Sequence, residues 1–107
     1  SEPSIEIRNR VIKTRLIQGH RYKNENEVHC NAQMRPQHLK DYCKLSEAGN
    51  TLLQNAMEKL GLSARAYDRI LKVARTIADL DNSKNIETNH IAEAIQYRSL
   101  DREGWAG

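Results

Sequence analysis

The chain has 107 residues, a formal net charge of +3, four tyrosines, one tryptophan and no phenylalanine. One domain fits that length. A composition this charged and this poor in aromatics excludes a β-sandwich, which needs more β-branched and aromatic alternation. The two cysteines, Cys30 and Cys43, exclude a disulfide framework. No apolar run is long enough to cross a bilayer, so no membrane partner is expected. With no signal peptide in view, a reducing cytoplasm is the expected location.

Residues 1–4 read as a flexible start. Ser4 then caps a first helix over about 5–22, with Glu6 favourable in its first turn. Ile5, Ile12 and Leu16, with Val11 beside them, recur near helical spacing as a narrow apolar stripe, and the rest of the surface is basic. Residues 24–34, "NENEVHCNAQM", are polar and aperiodic and read as an irregular loop to about 35. Pro36 suits the first turn of a short helix, "PQHLKDYC".

Ser46 caps the second long helix, whose apolar face is Ala48, Leu52, Leu53, Ala56, Met57 and Leu60. Gly61 ends it, since glycine takes positive φ without steric cost, and Leu62 can fold back on Met57. Ser63 caps the third helix at once. Tyr67, Ile70, Leu71, Ala74, Ile77 and Ala78 line its core face, and Asp68, Arg69, Lys72, Arg75 and Asp79 the opposite one, with Asp68 and Lys72 spaced as an ion pair. "DNSKN", 81–85, is a turn. A fourth helix starts at Thr88 or Asn89, shows Ile91, Ala92, Ala94 and Ile95, and ends near Leu100, leaving 101–107 as a flexible tail. The expected architecture is all-α: a four-helix bundle plus one short helix, with the third helix central.

Arg65 breaks a local rule. With Ser63 as cap and Ala64 opening the helix, it stands in the first turn, where unpaired N–H groups carry the equivalent of about half a positive charge. That end attracts phosphate, and an arginine there adds a planar fork of donors suited to phosphate oxygens. The plainer reading is a surface arginine directed into water or pairing with Asp68.

No acidic residue falls between Ile7 and Asn24, whereas Arg8, Arg10, Lys13, Arg15, Arg21 and Lys23 do, with His20. Three readings stay open: a solvated face, contact with a neighbouring subunit, or contact with nucleic acid. Several phosphate contacts would give steep salt dependence, and the lack of interleaved aromatics argues against a base-stacking platform. His29, Cys30, His38 and Cys43 lack the C-x-x-C spacing of a zinc site, so no metal is expected. Cys43 reads as a small buried hydrophobe and Cys30 as a loop thiol. His90 reads as buried or capping, and Tyr67 and Tyr97 as packing residues with their hydroxyls at the core edge. No nucleophile–base arrangement stands out.

"LSARAYDRILKVARTIADL" with "HIAEAIQYRSLDR" closely resembles the C-terminal domain of magnesium chelatase-like AAA+ ATPases of the ComM or YifB competence-related type. The resemblance extends upstream through "RNRVIKTRLIQGHRY", "NAQM" and "CKLSEAGNTLLQNAMEKLG" and covers nearly the whole chain. It implies a helical lid that follows an α/β nucleotide-binding core. An arginine at the start of one lid helix, the sensor 2 residue, there reaches the γ-phosphate, and the matching position is Arg65. ATP and Mg2+ are then expected in the full-length protein and no cofactor in the isolated domain. The implied partners are the AAA+ core of the same polypeptide and neighbouring subunits of a ring, a hexamer by analogy. DNA enters through the family's link to processing of incoming DNA. The chain lacks G-x-x-x-x-G-K-[ST] and a strand ending in paired acids, so it is not expected to be an enzyme alone. Chelatase activity is not assigned. The alternative is a stand-alone helical DNA-binding or protein-interaction module.

Overall fold

The computed structural model describes residues 2–100, with side chains from 4 to 97. The expected flexibility of Ser1 and of 101–107 lies outside the described residues. Five helices run in order: α1, Glu2–Arg21; α2, Pro36–Tyr42; α3, Glu47–Leu60; α4, Ala64–Leu80; and α5, Thr88–Leu100. A 3-10 turn, Asn31–Gln33, stands between α1 and α2. Among the described residues there is no strand, only a single parallel bridge joining Leu45 to Ile86.

The punctuation follows the sequence closely. Ser46 Oγ accepts from Gly49 N–H at 3.1 Å, and Ser63 Oγ from Ala66 N–H at 3.2 Å, each satisfying one orphan donor of a helix start. Gly61 takes φ 60° and ψ 44°, and Leu62 N–H returns to Met57 C=O at 3.0 Å. That left-handed residue costs a side chain about 1–2 kcal/mol and costs glycine almost nothing.

α4 is the central element. It packs against α5, α1, α2 and the 3-10 turn, while α3 packs on α5. Leu53, Ile70, Ala74, Ala78, Ile91 and Ala94 are fully buried. Burying a side chain the size of Leu or Ile contributes about 1.5–3 kcal/mol, so α4 and its neighbours supply most of the hydrophobic stabilisation.

Several expectations need correction. α1 begins at Glu2, so Ser4 lies inside the helix and is exposed rather than capping it; an acid and a proline in a first turn suit that earlier start. Its apolar stripe does not face the core: Ile5, Ile12 and Leu16 are 56%, 48% and 69% exposed, while Thr14 is buried against the domain. The 24–35 segment is irregular but anchored, with Val28, Asn31 and Met34 all buried. α3 buries its expected face through Leu53, with Leu52, Ala56 and Met57 half-buried, but Gly49 is buried there too while Ala48 and Leu60 are exposed. The reason is spatial: a Cβ at Gly49 would stand 2.8 Å from Ile91 Cδ1, so glycine lets α3 approach α5 closely. On α5, His90, Ile91 and Ala94 are buried and Ala92 is exposed. Arg75 and Asp79, assigned to the polar face of α4, are 5% and 3% exposed.

Candidate functional site

The first turn of α4 presents its N–H groups beside the Ser63 cap, and Arg65 stands exposed in that turn. Arg65, Arg69 and Lys72 share one side of the helix at i, i+4 and i+7, a rise of about 10 Å. With Asp68 and Val73 of α4, Ala32 of the 3-10 turn and Tyr97 of α5, they line an open cleft of ≈ 540 Å³. Three cations against one carboxylate make this a basic cleft. Lys72 Nζ also donates to Ala32 C=O at 3.4 Å, linking its two walls. Tyr97 is 54% exposed at the cleft, not packed at the core edge as its sequence context suggested. Tyr67 is half-buried against the core, as expected.

Arg8, Arg10, Lys13 and Arg15 are exposed on α1 and do not line this cleft. Arg10 instead borders a separate hollow with Asp81, Asn89, His90 and Glu93. Arg21 differs from the other basic residues of α1. Its guanidinium donates from Nη1 to Asp79 Oδ2 at 2.8 Å and from Nη2 to Asp79 Oδ1 at 2.7 Å, and its side chain is only 13% exposed. A partner subunit or nucleic acid would have to break that bidentate pair, so Arg21 is a structural residue rather than a contact residue.

The Asp79 carboxylate anchors a buried polar network that the sequence reading missed. Beyond Arg21 it accepts from Asn31 Nδ2 at 2.8 Å and Arg75 Nε at 3.2 Å. Asn31 Oδ1 accepts from the Tyr22 hydroxyl at 2.6 Å and from Arg21 Nη1 at 3.0 Å. Its backbone N–H donates to Gln18 Oε1 at 2.9 Å. Arg75 reaches on to the carbonyls of Ser83, Lys84 and Tyr42, at 2.8, 3.1 and 3.4 Å. One cluster therefore ties α1, the 3-10 turn, the end of α2 and the α4–α5 turn to α4. The Asp79 pairing raises the Arg21 pKa further, against the opposing effect of burial. Burial lifts the Tyr22 hydroxyl to about 12 even with the Arg21 cation opposing it, and lifts the Cys43 thiol to about 11. The Arg75–Asp79 spacing of four was a legible ion-pair signal; what hid it was an apolar face of α4 drawn too narrowly.

His90 Nδ1 accepts from Glu87 N–H at 2.9 Å and its Nε2 lies 3.0 Å from Asp81 Oδ2. It is buried and caps the start of α5, as its position suggested. His38 repeats the arrangement on α2, accepting from Arg35 N–H at 2.9 Å and facing Glu25 at 3.1 Å. Cys43 is buried and Cys30 half-buried, both as free thiols. Among the described residues, no group of three or more His, Cys, Asp or Glu is placed to hold a metal ion. The cleft offers donors for anionic oxygens and no carboxylate set for Mg2+. No helix among the described residues is long and apolar enough to cross a membrane.

Comparison with known proteins places the chain. The family described as "Magnesium chelatase, subunit ChlI C-terminal" matches residues 1–98. Competence protein ComM of Haemophilus influenzae is 43% identical over 101 residues, covering 94% of this chain and 19% of that protein. The uncharacterized protein YifB of Escherichia coli is 40% identical over 101 residues, with the same two shares. YifB of Salmonella typhimurium is 37% identical over 92 residues, 86% of this chain and 18% of that one. The chain thus spans about a fifth of the length of the curated relatives it matches.

Proposed function

Because the chain belongs to the magnesium chelatase ChlI C-terminal family, we propose that it is the nucleotide-sensing helical lid of a longer AAA+ ATPase. The observation that carries this reading is Arg65, exposed in the first turn of α4 at one wall of a basic cleft. A cation there costs about 0.3–1 kcal/mol against the helix dipole. A phosphate delivered from outside the domain reverses that penalty, because it meets the N–H groups and the guanidinium together. Arg69 and Lys72 extend the positive potential along the helix.

In this reading Arg65 donates to the terminal phosphate of ATP held by the core domain of the same polypeptide, and loses the contact after hydrolysis. A contact made in one nucleotide state and not the other biases the lid between two orientations. The guanidinium also stabilises charge that develops on the transferring phosphoryl group. Magnesium and the attacking water are held by the rest of the parent. The exposed cations Arg8, Arg10, Lys13 and Arg15 are then available to a neighbouring ring subunit. The competence name carried by the Haemophilus relative makes DNA a fitting polymer for the parent to act on.

Arg65→Ala in the full-length parent tests the sensor role through ATP binding and turnover. Turnover should fall at least tenfold, about 1.4 kcal/mol in the barrier, with the domain's thermal midpoint unmoved because the side chain is exposed. Unchanged turnover and nucleotide affinity would remove Arg65 from the mechanism.

A further inference from the structure

α1 leaves its large apolar side chains outside the core: Ile5, Ile7, Val11, Ile12 and Leu16 are all exposed. The side chains it turns to the domain are polar: Thr14 is buried, Gln18 accepts from Asn31 N–H and Arg21 grips Asp79. On the opposite side, at about 100° per residue, Ile5, Ile12 and Leu16 fall within roughly 40° of one another, and all three are exposed. Cations flank this stripe at roughly 60–80° on both sides: Arg8 and Arg15 on one, Lys13 on the other with the polar His20 beside it, all exposed. Every residue from Ser4 to Lys13 is exposed, with Arg10 bordering the hollow it shares with Asp81 and Glu93. An apolar stripe with charged margins is the pattern of an interface whose partner is elsewhere.

We infer that the outer face of α1 seats in an apolar, acid-rimmed groove on the domain that precedes it in the same polypeptide. Two observations select this occupant. The family's description places the domain at the C-terminal end of a subunit, and the relatives carry about four-fifths of their length outside the matched region. A domain joined ahead of α1 is tethered close to the stripe, at an effective concentration near millimolar for a short connection. The charge is the second. Glu6 is the only acid from Ser4 to Lys23, so the margins favour an acidic surface and repel a second copy of themselves. The inference rests on the chain being part of a longer polypeptide, as proposed above, and not on the role of Arg65.

The test is alkylation of Leu16→Cys by a maleimide, read by mass spectrometry on the α1 peptide. It is run on this domain alone, which carries its own complete core, and on full-length parent diluted until monomeric. Leu16 is the most exposed member of the stripe, so the domain alone should label fast and keep its wild-type melting midpoint. The monomeric parent should label at least tenfold more slowly. Equal rates would overturn the inference. So would protection that appears only at concentrations where rings assemble, which assigns the face to a neighbouring subunit, or only on adding anionic phospholipid vesicles, which assigns it to a lipid surface. Arg65→Ala in the same parent should leave the protection intact. Protection with no Arg65 effect sinks the sensor reading alone, and an Arg65 effect without protection sinks this inference alone.

Discussion

Asp79→Asn tests the buried network directly. The carboxylate is 1% exposed and accepts from Arg21 twice, from Asn31 and from Arg75. Removing its charge leaves two guanidinium groups, 13% and 6% exposed, without a counter-ion. Stranding a buried charge in this way costs about 3–5 kcal/mol. The lower end applies here, because Arg75 keeps three backbone carbonyls and Arg21 keeps Asn31 Oδ1. A loss of about 3 kcal/mol is a large share of the roughly 5–15 kcal/mol that holds a small domain folded. At about 4 °C or more per kcal/mol it lowers the melting midpoint by at least roughly 12 °C. Urea unfolding followed by circular dichroism should show the midpoint falling at unchanged slope. Adding Arg21→Met to Asp79→Asn should cost less than the two singles summed, by about 1–3 kcal/mol, because the second change removes a charge the first had stranded. A single-variant loss below about 1 kcal/mol, or strict additivity, would refute this account of the network.

Two further predictions concern backbone and pH. Gly61→Ala forces a side chain to φ 60° and should lose about 1 kcal/mol, whereas Gly19→Ala, in the last turn of α1 with nothing within 4 Å of the added Cβ, should gain about 0.5 kcal/mol; equal shifts in urea midpoint would contradict both assignments. Burial raises the Cys43 thiol from 9.0 to about 11 and the Tyr22 hydroxyl from 10.0 to about 12, so the fold holds both protons after the unfolded chain has begun to release them. Their contribution to stability is complete below about pH 9 and is lost as pH rises through 11 and 12. Urea midpoints should therefore fall across that window, and Cys43→Ala should remove the earlier part of the fall.

Helix order and the helix ends beyond the start of α1 were legible in the sequence because local chemistry decides them. Ser46, Gly61 and Ser63 act within one turn of themselves, and His90 caps the helix it begins. The membership of the family was legible too, in the α4 and α5 segments. Which face each helix buries was harder to read. Periodicity finds an apolar stripe but not what covers it, so the stripe of Ile5, Ile12 and Leu16 gave no sign that it lies outside the core, where α1 instead turns Thr14 with its polar neighbours. The network stayed hidden because its members are 58 and 48 residues apart, Arg21 and Asn31 to Asp79. Asn31, in a polar segment without periodicity, gives no local sign that it is 1% exposed.

The network and Arg65 occupy opposite ends of one rod. Fourteen residues separate Asp79 from Arg65 on α4, a rise of about 21 Å. At the Asp79 end, α4 is fastened to α1, the 3-10 turn and the α4–α5 turn by charge-assisted bonds. At the Arg65 end the cleft is open, with the cations on its rim. Were the whole domain to rotate about its fastened end, Arg65 would be displaced by more than the residues around Asp79. The two ends should also respond differently to substitution. Loss of Asp79 registers in the stability of the domain alone, because its partners are all inside the chain. Arg65 is exposed, so its loss should leave the stability of the domain alone unmoved and, under the proposed sensor role, should register only in the longer polypeptide.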